Sequence, residues 1–198
     1  AGQAAVELHR SGNLLVAGTY YYATDFEAGE RTTVGGEDVF LHRFTPTGTL
    51  VWDRTWGSTD DERFSDLVID SQDRLWLVGH NRKALDLGGG PLPVTVTQAI
   101  FLARFDTDGT HQFSASYSGS SFNYGLEMDL GPSDAITLVG YSGGSVNFGG
   151  GPLSTAGSED IVAATFNSNG SHRWSGIYGG SGWDTGYGTA FDADGNVY

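Results

Sequence analysis

Residues of the same kind recur every 61 positions, and the step holds without a gap along the whole chain. Gly48, Gly109 and Gly170 fall on it, as do Trp52, Phe113 and Trp174, and Phe44, Phe105 and Phe166. So do Trp56, Tyr117 and Tyr178, then Gly18, Gly79 and Gly140. Three units are followed by residues 184–198, which restart the pattern. Self-similarity at fixed spacing means that each unit is one supersecondary element, stable only when its apolar surface is buried against its neighbours.

The element is built of strands. Gly is 31 residues against 5 Pro, and apolar stripes of helical period are absent, which fits short strands joined by tight turns. The unit boundaries read as 1–66, 67–127 and 128–188, with 189–198 opening a fourth. In the second unit the first strand is expected at Leu67–Asp70, the second at Leu75–Gly79 and the third at Ile100–Phe105. The fourth places Phe113, Ala115 and Tyr117 in register with Trp52, Arg54 and Trp56. Between the second and third strands lies a long loop, Gly88–Leu92 and its equivalent Gly149–Leu153, replaced in the first unit by the divergent Glu27–Arg31.

Alternate residues of a strand point to opposite faces. In Ile100–Phe105 both sets are largely apolar, so each sheet is expected to be covered on both sides. A four-stranded antiparallel sheet of that kind, repeated at constant length, satisfies itself by stacking around an axis, as the blades of a β-propeller do. Closed propellers use about 4–8 blades, so about three blades plus an opening strand form a segment of a ring. The chain also begins without Met, and it is expected to be a mature or excised piece of a longer protein, one that self-associates to complete the ring, or an open arc with apolar end faces.

Charge narrows the partners. With 24 acidic and 10 basic residues the formal net charge is -14, which repels nucleic acid and anionic membrane and leaves sugars, cations and basic proteins. The basic set is nine Arg and the single Lys83, dispersed along the chain. Without Cys there is no disulfide framework and no thiol nucleophile. No apolar run approaches the roughly 20 residues of a spanning helix, so membrane insertion is not expected.

Three stretches resemble a bacterial β-propeller repeat family, the SBBP-type repeats of secreted and surface proteins. They are Phe191-Asp192-Ala193-Asp194-Gly195-Asn196-Val197-Tyr198, Asp160 to Phe166, and Trp174 leading to Tyr178-Gly179-Gly180. The resemblance covers essentially the whole chain, unit by unit. It implies a propeller outside the cell or on its surface and carries no catalytic set.

Candidate chemistry is weighed against the repeat. Asp-x-Asp-Gly at Asp106–Gly109 and Asp192–Gly195 suits calcium, but Thr45–Gly48 and Asn167–Gly170 lose the carboxylates at the same step, so structural turns are expected and no cofactor. His111 and His172 are equivalent, which makes them frame residues before metal ligands.

Loops after the second and fourth strands of a meander leave on one edge, and the loops after the fourth differ most between units. A rigid frame with variable rim loops is the arrangement of a binding scaffold. The rim candidates are Asp60, Asp61 and Glu62, then Phe122 and Tyr124, then Trp183, Asp184 and Tyr187. Their rings suit stacking on sugars or anchoring a protein, and their carboxylates suit cations or basic groups. Function is therefore expected to be non-catalytic binding of carbohydrate or protein. The alternative is a polysaccharide-active enzyme using Asp61 and Asp184 as an acid/base pair.

Overall fold

Turns rich in Asn, Asp and Gly cut the chain into short antiparallel strands. The computed structural model describes residues 4–27, 29–95 and 97–198. In the first unit β1 (Ala4–Leu8), β2 (Leu14–Asp25), β3 (Glu30–Phe44) and β4 (Leu50–Trp56) form one sheet in chain order. The second unit contains β5 (Glu62–Ile69), β6 (Leu75–Asn81), β7 (Leu85–Asp86), β8 (Pro91–Leu92), β9 (Ala99–Phe105) and β10 (His111–Tyr117). Of these, β5, β6, β9 and β10 make the sheet, while β7 and β8 pair as a small hairpin between its second and third strands. The third unit repeats this with β11 (Asn123–Gly131), β12 (Ala135–Ser142), β13 (Ser145–Asn147), β14 (Pro152–Ser154), β15 (Asp160–Phe166) and β16 (His172–Tyr178). The one helical turn among the described residues is the 3₁₀ segment Pro132–Asp134. The protein is all-β, with three four-stranded antiparallel sheets in succession.

Two expectations about strand limits are corrected. The first strand of the second unit starts at Glu62, five residues before Leu67, because Glu62, Arg63 and Phe64 pair with Asn81, His80 and Gly79 ahead of a bulge at Ser65. The third unit has the same bulge at Leu126, so the boundaries read at 66/67 and 127/128 fall inside β5 and β11. Opposite each bulge stands the recurring glycine, and a methyl group on Gly79 or Gly140 would overlap the carbonyl oxygen of Arg63 or Tyr124. That close approach is the physical content of the repeat glycine. In the first unit β2 and β3 run on as one long hairpin, Asp25 pairing with Glu30, and the divergent Glu27–Arg31 stretch is its tip. Ala28 within that stretch lies outside the described residues.

Consecutive sheets meet face to face, with β5 against β1, β2 and β3, and β11 against β5, β6 and β9. Leu15, Ala17, Val39 and Leu41 bury against Leu75, Leu77, Phe101 and Phe105, while Trp76, Val78, Ile100 and Leu102 bury against Ile136, Leu138, Val162 and Phe166. The contacts repeat at the 61-residue step. Trp56 stacks on Phe105 at 4.8 Å between centroids and Tyr117 on Phe166 at 5.3 Å. Arg43 donates to the carbonyl of Thr107 (2.7 Å) and Arg104 to that of Ser168 (2.6 Å). Thr165 holds the third equivalent position.

Coverage on both faces is complete only for the middle sheet. Every residue of β9 except Arg104 is buried, whereas Trp174 and Tyr178, equivalents of the covered Phe113 and Tyr117, are 39% and 55% exposed. Residues 184–198 begin to cover the third sheet as β11 covers the second. Gly186 packs on Val139 and Ile161 as Gly125 packs on Val78 and Ile100. The Phe191 N–H donates to Asp129 (2.8 Å) as the Met128 N–H donates to Asp66 (2.9 Å).

Candidate functional site

Because the loops after the second and fourth strands share one edge, residues 57–61 and 118–122 flank the end of β6 and the entry to β9. Between them is a cleft of about 500 Å³ lined by Asp60, Arg82, Lys83, Thr97, Gln98, Phe122 and Tyr124. That volume lies in the range of small-ligand sites, about 300–1,000 Å³. Of the expected rim residues, the structure brings Asp60, Phe122 and Tyr124 together here. Arg82, Lys83, Thr97 and Gln98 had no place in the sequence reading of the site.

Each wall has an identifiable support. The Arg82 N–H donates to the carbonyl of Asp61 (3.2 Å), its Nη1 lies 3.2 Å from Asp61 Oδ2, and its Nε lies 3.5 Å from Gln98 Oε1. Asp61 is therefore engaged behind the cleft wall. Gln98 is buried and exchanges amide bonds with Asn123: its Nε2 donates to the Asn123 carbonyl (3.3 Å), and Asn123 Nδ2 donates back to the Gln98 carbonyl (3.4 Å). Tyr124 stacks on Tyr141 at 4.6 Å and meets the His80 ring edge-on at 4.7 Å. Phe122 meets Tyr124 edge-on at 5.8 Å and lies over Gly143.

Burial, reinforced by Arg63 and Arg82, drives the His80 imidazole down to about 3, so it is neutral at ordinary pH. The charge of the cleft rests on Arg82, Lys83, Asp60 and Asp61.

The remaining rim candidates sit elsewhere. Glu62 is fully buried and clamps the loop before it, its two carboxylate oxygens accepting from the Ser58 N–H and the Ser58 hydroxyl. Asp184, at the equivalent position two units on, accepts from the Gly180 N–H (2.8 Å). The same position thus ties down a loop in the first and third units, and Asn123 does so in the second by donating to the Ser121 carbonyl (3.0 Å). Trp183 and Tyr187 are each 77% exposed and belong to the third unit's loop, away from the cleft.

Burial pushes the Glu62 carboxyl up to about 7, with Asp38 and Asp60 adding repulsion against the hydrogen bonds from Ser58. A folded-state value raised from 4.5 favours folding at low pH, and that contribution is lost as pH rises through about 7. Glu62→Gln keeps the clamp, since its amide oxygen accepts from the Ser58 N–H and its amide nitrogen donates to the hydroxyl. The variant is expected to match wild type at about pH 5 and exceed it at about pH 8 in urea midpoint. Superimposable pH profiles would remove Glu62 as the titrating group.

The histidines and the Asp-x-Asp-Gly turns make the following contacts. His111 Nε2 lies 2.9 Å from Ser114 Oγ and His172 Nε2 3.0 Å from Ser175 Oγ, and the two rings pack against Gly89 and Gly150 of the glycine-rich loops. In the Asp-x-Asp-Gly turns, Asp106 Oδ1 accepts from the N–H groups of Asp108 (3.0 Å) and Thr110 (2.9 Å), and Asp192 Oδ1 from those of Asp194 (3.0 Å) and Asn196 (2.8 Å). Among the described residues no group of three or more His, Asp or Glu is placed to hold a metal ion. Carboxylates do gather on the first strands, where burial first and then mutual repulsion raise Glu7, Asp66 and Glu127. No family model matches the chain, and no curated protein matches it either.

Proposed function

We propose that the three sheets are successive blades of a β-propeller segment and that the protein is a non-catalytic interaction scaffold, binding carbohydrate or protein through its rim. Supporting the propeller reading are the inter-sheet contacts that recur at the repeat step: Trp56 on Phe105 and Tyr117 on Phe166, Arg43 to Thr107 and Arg104 to Ser168. The reading also agrees with the resemblance to bacterial propeller repeats.

The observation that carries the binding reading is the convergence, from two successive rim loops, of Asp60, Phe122 and Tyr124 on one cleft with Arg82 and Gln98. An apolar wall with a few fixed polar groups is the usual composition of a ligand site. What favours binding over hydrolysis is that the two carboxylates suited to acid/base work are occupied in different units, Asp61 by Arg82 and Asp184 by the Gly180 N–H.

Immobilised glycans and basic proteins test it. Wild type is expected to be retained by at least one of them without releasing product, and Phe122→Ala to weaken retention by about tenfold or more, as for a central aromatic anchor. Equal retention of the variant would place binding outside this cleft.

A further inference from the structure

One pair of positions differs between units in a way that bears on the ligand. Arg82 and Lys83 stand where the third unit has Gly143 and Gly144. At the glycines the neighbouring loop closes down: Phe122 lies on Gly143, the Ser120 N–H donates to Ser145 Oγ (3.0 Å), and the Ser145 N–H donates back to Ser120 Oγ (2.9 Å). At Arg82 the same main-chain bond forms, its N–H donating to the Asp61 carbonyl (3.2 Å) as the Gly143 N–H donates to that of Phe122 (3.0 Å), and two charged side chains stand at the cleft where the third unit has none. The frame is the same in the two units, and the charged pair is what the second unit adds to it.

In a chain with 24 acidic and 10 basic residues, two adjacent exposed cations on one cleft are uncommon. Most other guanidinium groups are committed: Arg31 to Asp53, Arg63 to Glu37, Arg74 to Asp70, and Arg43 and Arg104 to turn carbonyls. Arg82 is balanced by Asp61 at 3.2 Å. Lys83, the one lysine, is exposed and makes no ion pair among the described residues. Its ammonium is the cation left for a ligand.

Around it stand an apolar ring, Phe122, a half-exposed carboxylate, Asp60, and a buried amide, Gln98. A purely anionic peptide would meet Lys83 but be repelled by Asp60. A sugar ring carrying one carboxylate uses all of them, its C–H face on the ring, its hydroxyl protons on Asp60, and its charge on Lys83. We propose that the cleft takes a single uronic-acid residue of an otherwise neutral polysaccharide, with Lys83 paired to the sugar carboxylate and Asp60 accepting from the sugar hydroxyls. This rests on the carbohydrate form of the function proposed above.

The test uses the whole 198-residue chain and calorimetric titration with neutral oligosaccharides carrying one galacturonate, glucuronate or mannuronate residue, each beside its methyl ester, and with a set of wholly neutral oligosaccharides. At least one acid is expected to bind about fivefold more tightly than its ester, the upper end for an exposed ion pair. Lys83→Gln is expected to remove that difference. Acid and ester binding alike, neutral sugars alone binding, or a Lys83→Gln variant that keeps the preference would each overturn the uronate assignment while leaving the carbohydrate reading in place. Failure of every acidic and neutral oligosaccharide to bind overturns both. Lys83 is exposed, so the variant folds, and its urea midpoint is measured alongside to establish this.

Discussion

Phe105→Ala is expected to cost about 3–5 kcal/mol of stability, whereas Phe44→Ala, at the same repeat position, is expected to cost about 1 kcal/mol. The two rings occupy the same place in their own sheets and differ only in what lies beyond. Phe105 is fully buried, stacked on Trp56 and surrounded by Leu15, Leu41 and Leu75 from two sheets. Phe44 is half-buried, on the face of the first sheet that no other sheet covers. Removing the ring at 105 leaves a cavity between two sheets that cannot collapse without separating them, and the cavity adds to the lost transfer energy. Removing it at 44 exposes surface that water already reaches. Equilibrium urea unfolding reads both. Equal losses at the two positions would mean that stability resides within each sheet and that face-to-face packing contributes little.

The same comparison explains what was legible in the sequence. Positions dictated by inter-sheet packing recur because each junction poses the same steric problem, so Phe105 and Phe166, or Trp56 and Tyr117, announced the architecture. Strand starts were less visible. Glu62, Asn123 and Asp184 perform one task, tying down the loop before them, but with a buried acid, an amide and a half-buried acid whose polarity reads as loop. Two of them, Glu62 and Asp184, therefore read in the sequence as rim carboxylates. The cleft was only partly legible for the opposite reason. Its aromatic wall stood out because Phe122 and Tyr124 vary within the rim loop, while Arg82 and Lys83 hid among dispersed basic residues and Gln98 gains meaning only by meeting Asn123, 25 positions away. A site made by breaking a repeat leaves no period to find.

Gly140→Ala is expected to destabilise the third sheet by about 3 kcal/mol or more, the upper end for overpacking against groups that cannot swing aside. The added methyl would point into the carbonyl oxygen of Tyr124, part of the bulged strand β11, with the Cα of Gly125 3.1 Å away. Neither group is the end of a flexible side chain, so relief requires β11 and β12 to part or the bulge to be lost. Losing the bulge moves every residue on one side of it by one place, which turns Tyr124 away from Tyr141 and Asn123 away from Gln98. The cleft would lose its aromatic wall together with the amide pair behind it. Gly140→Ala is therefore expected to abolish ligand retention as well as lower the urea midpoint, although residue 140 does not line the cleft. Gly182→Ala is the matched control: its methyl would meet nothing within 4 Å, and both readouts are expected to stay at wild-type values. If Gly140→Ala loses stability yet retains ligand, the rim loops hold their shape independently of the bulge. If it loses neither, the close approach of β11 to β12 is not what the repeat glycine serves.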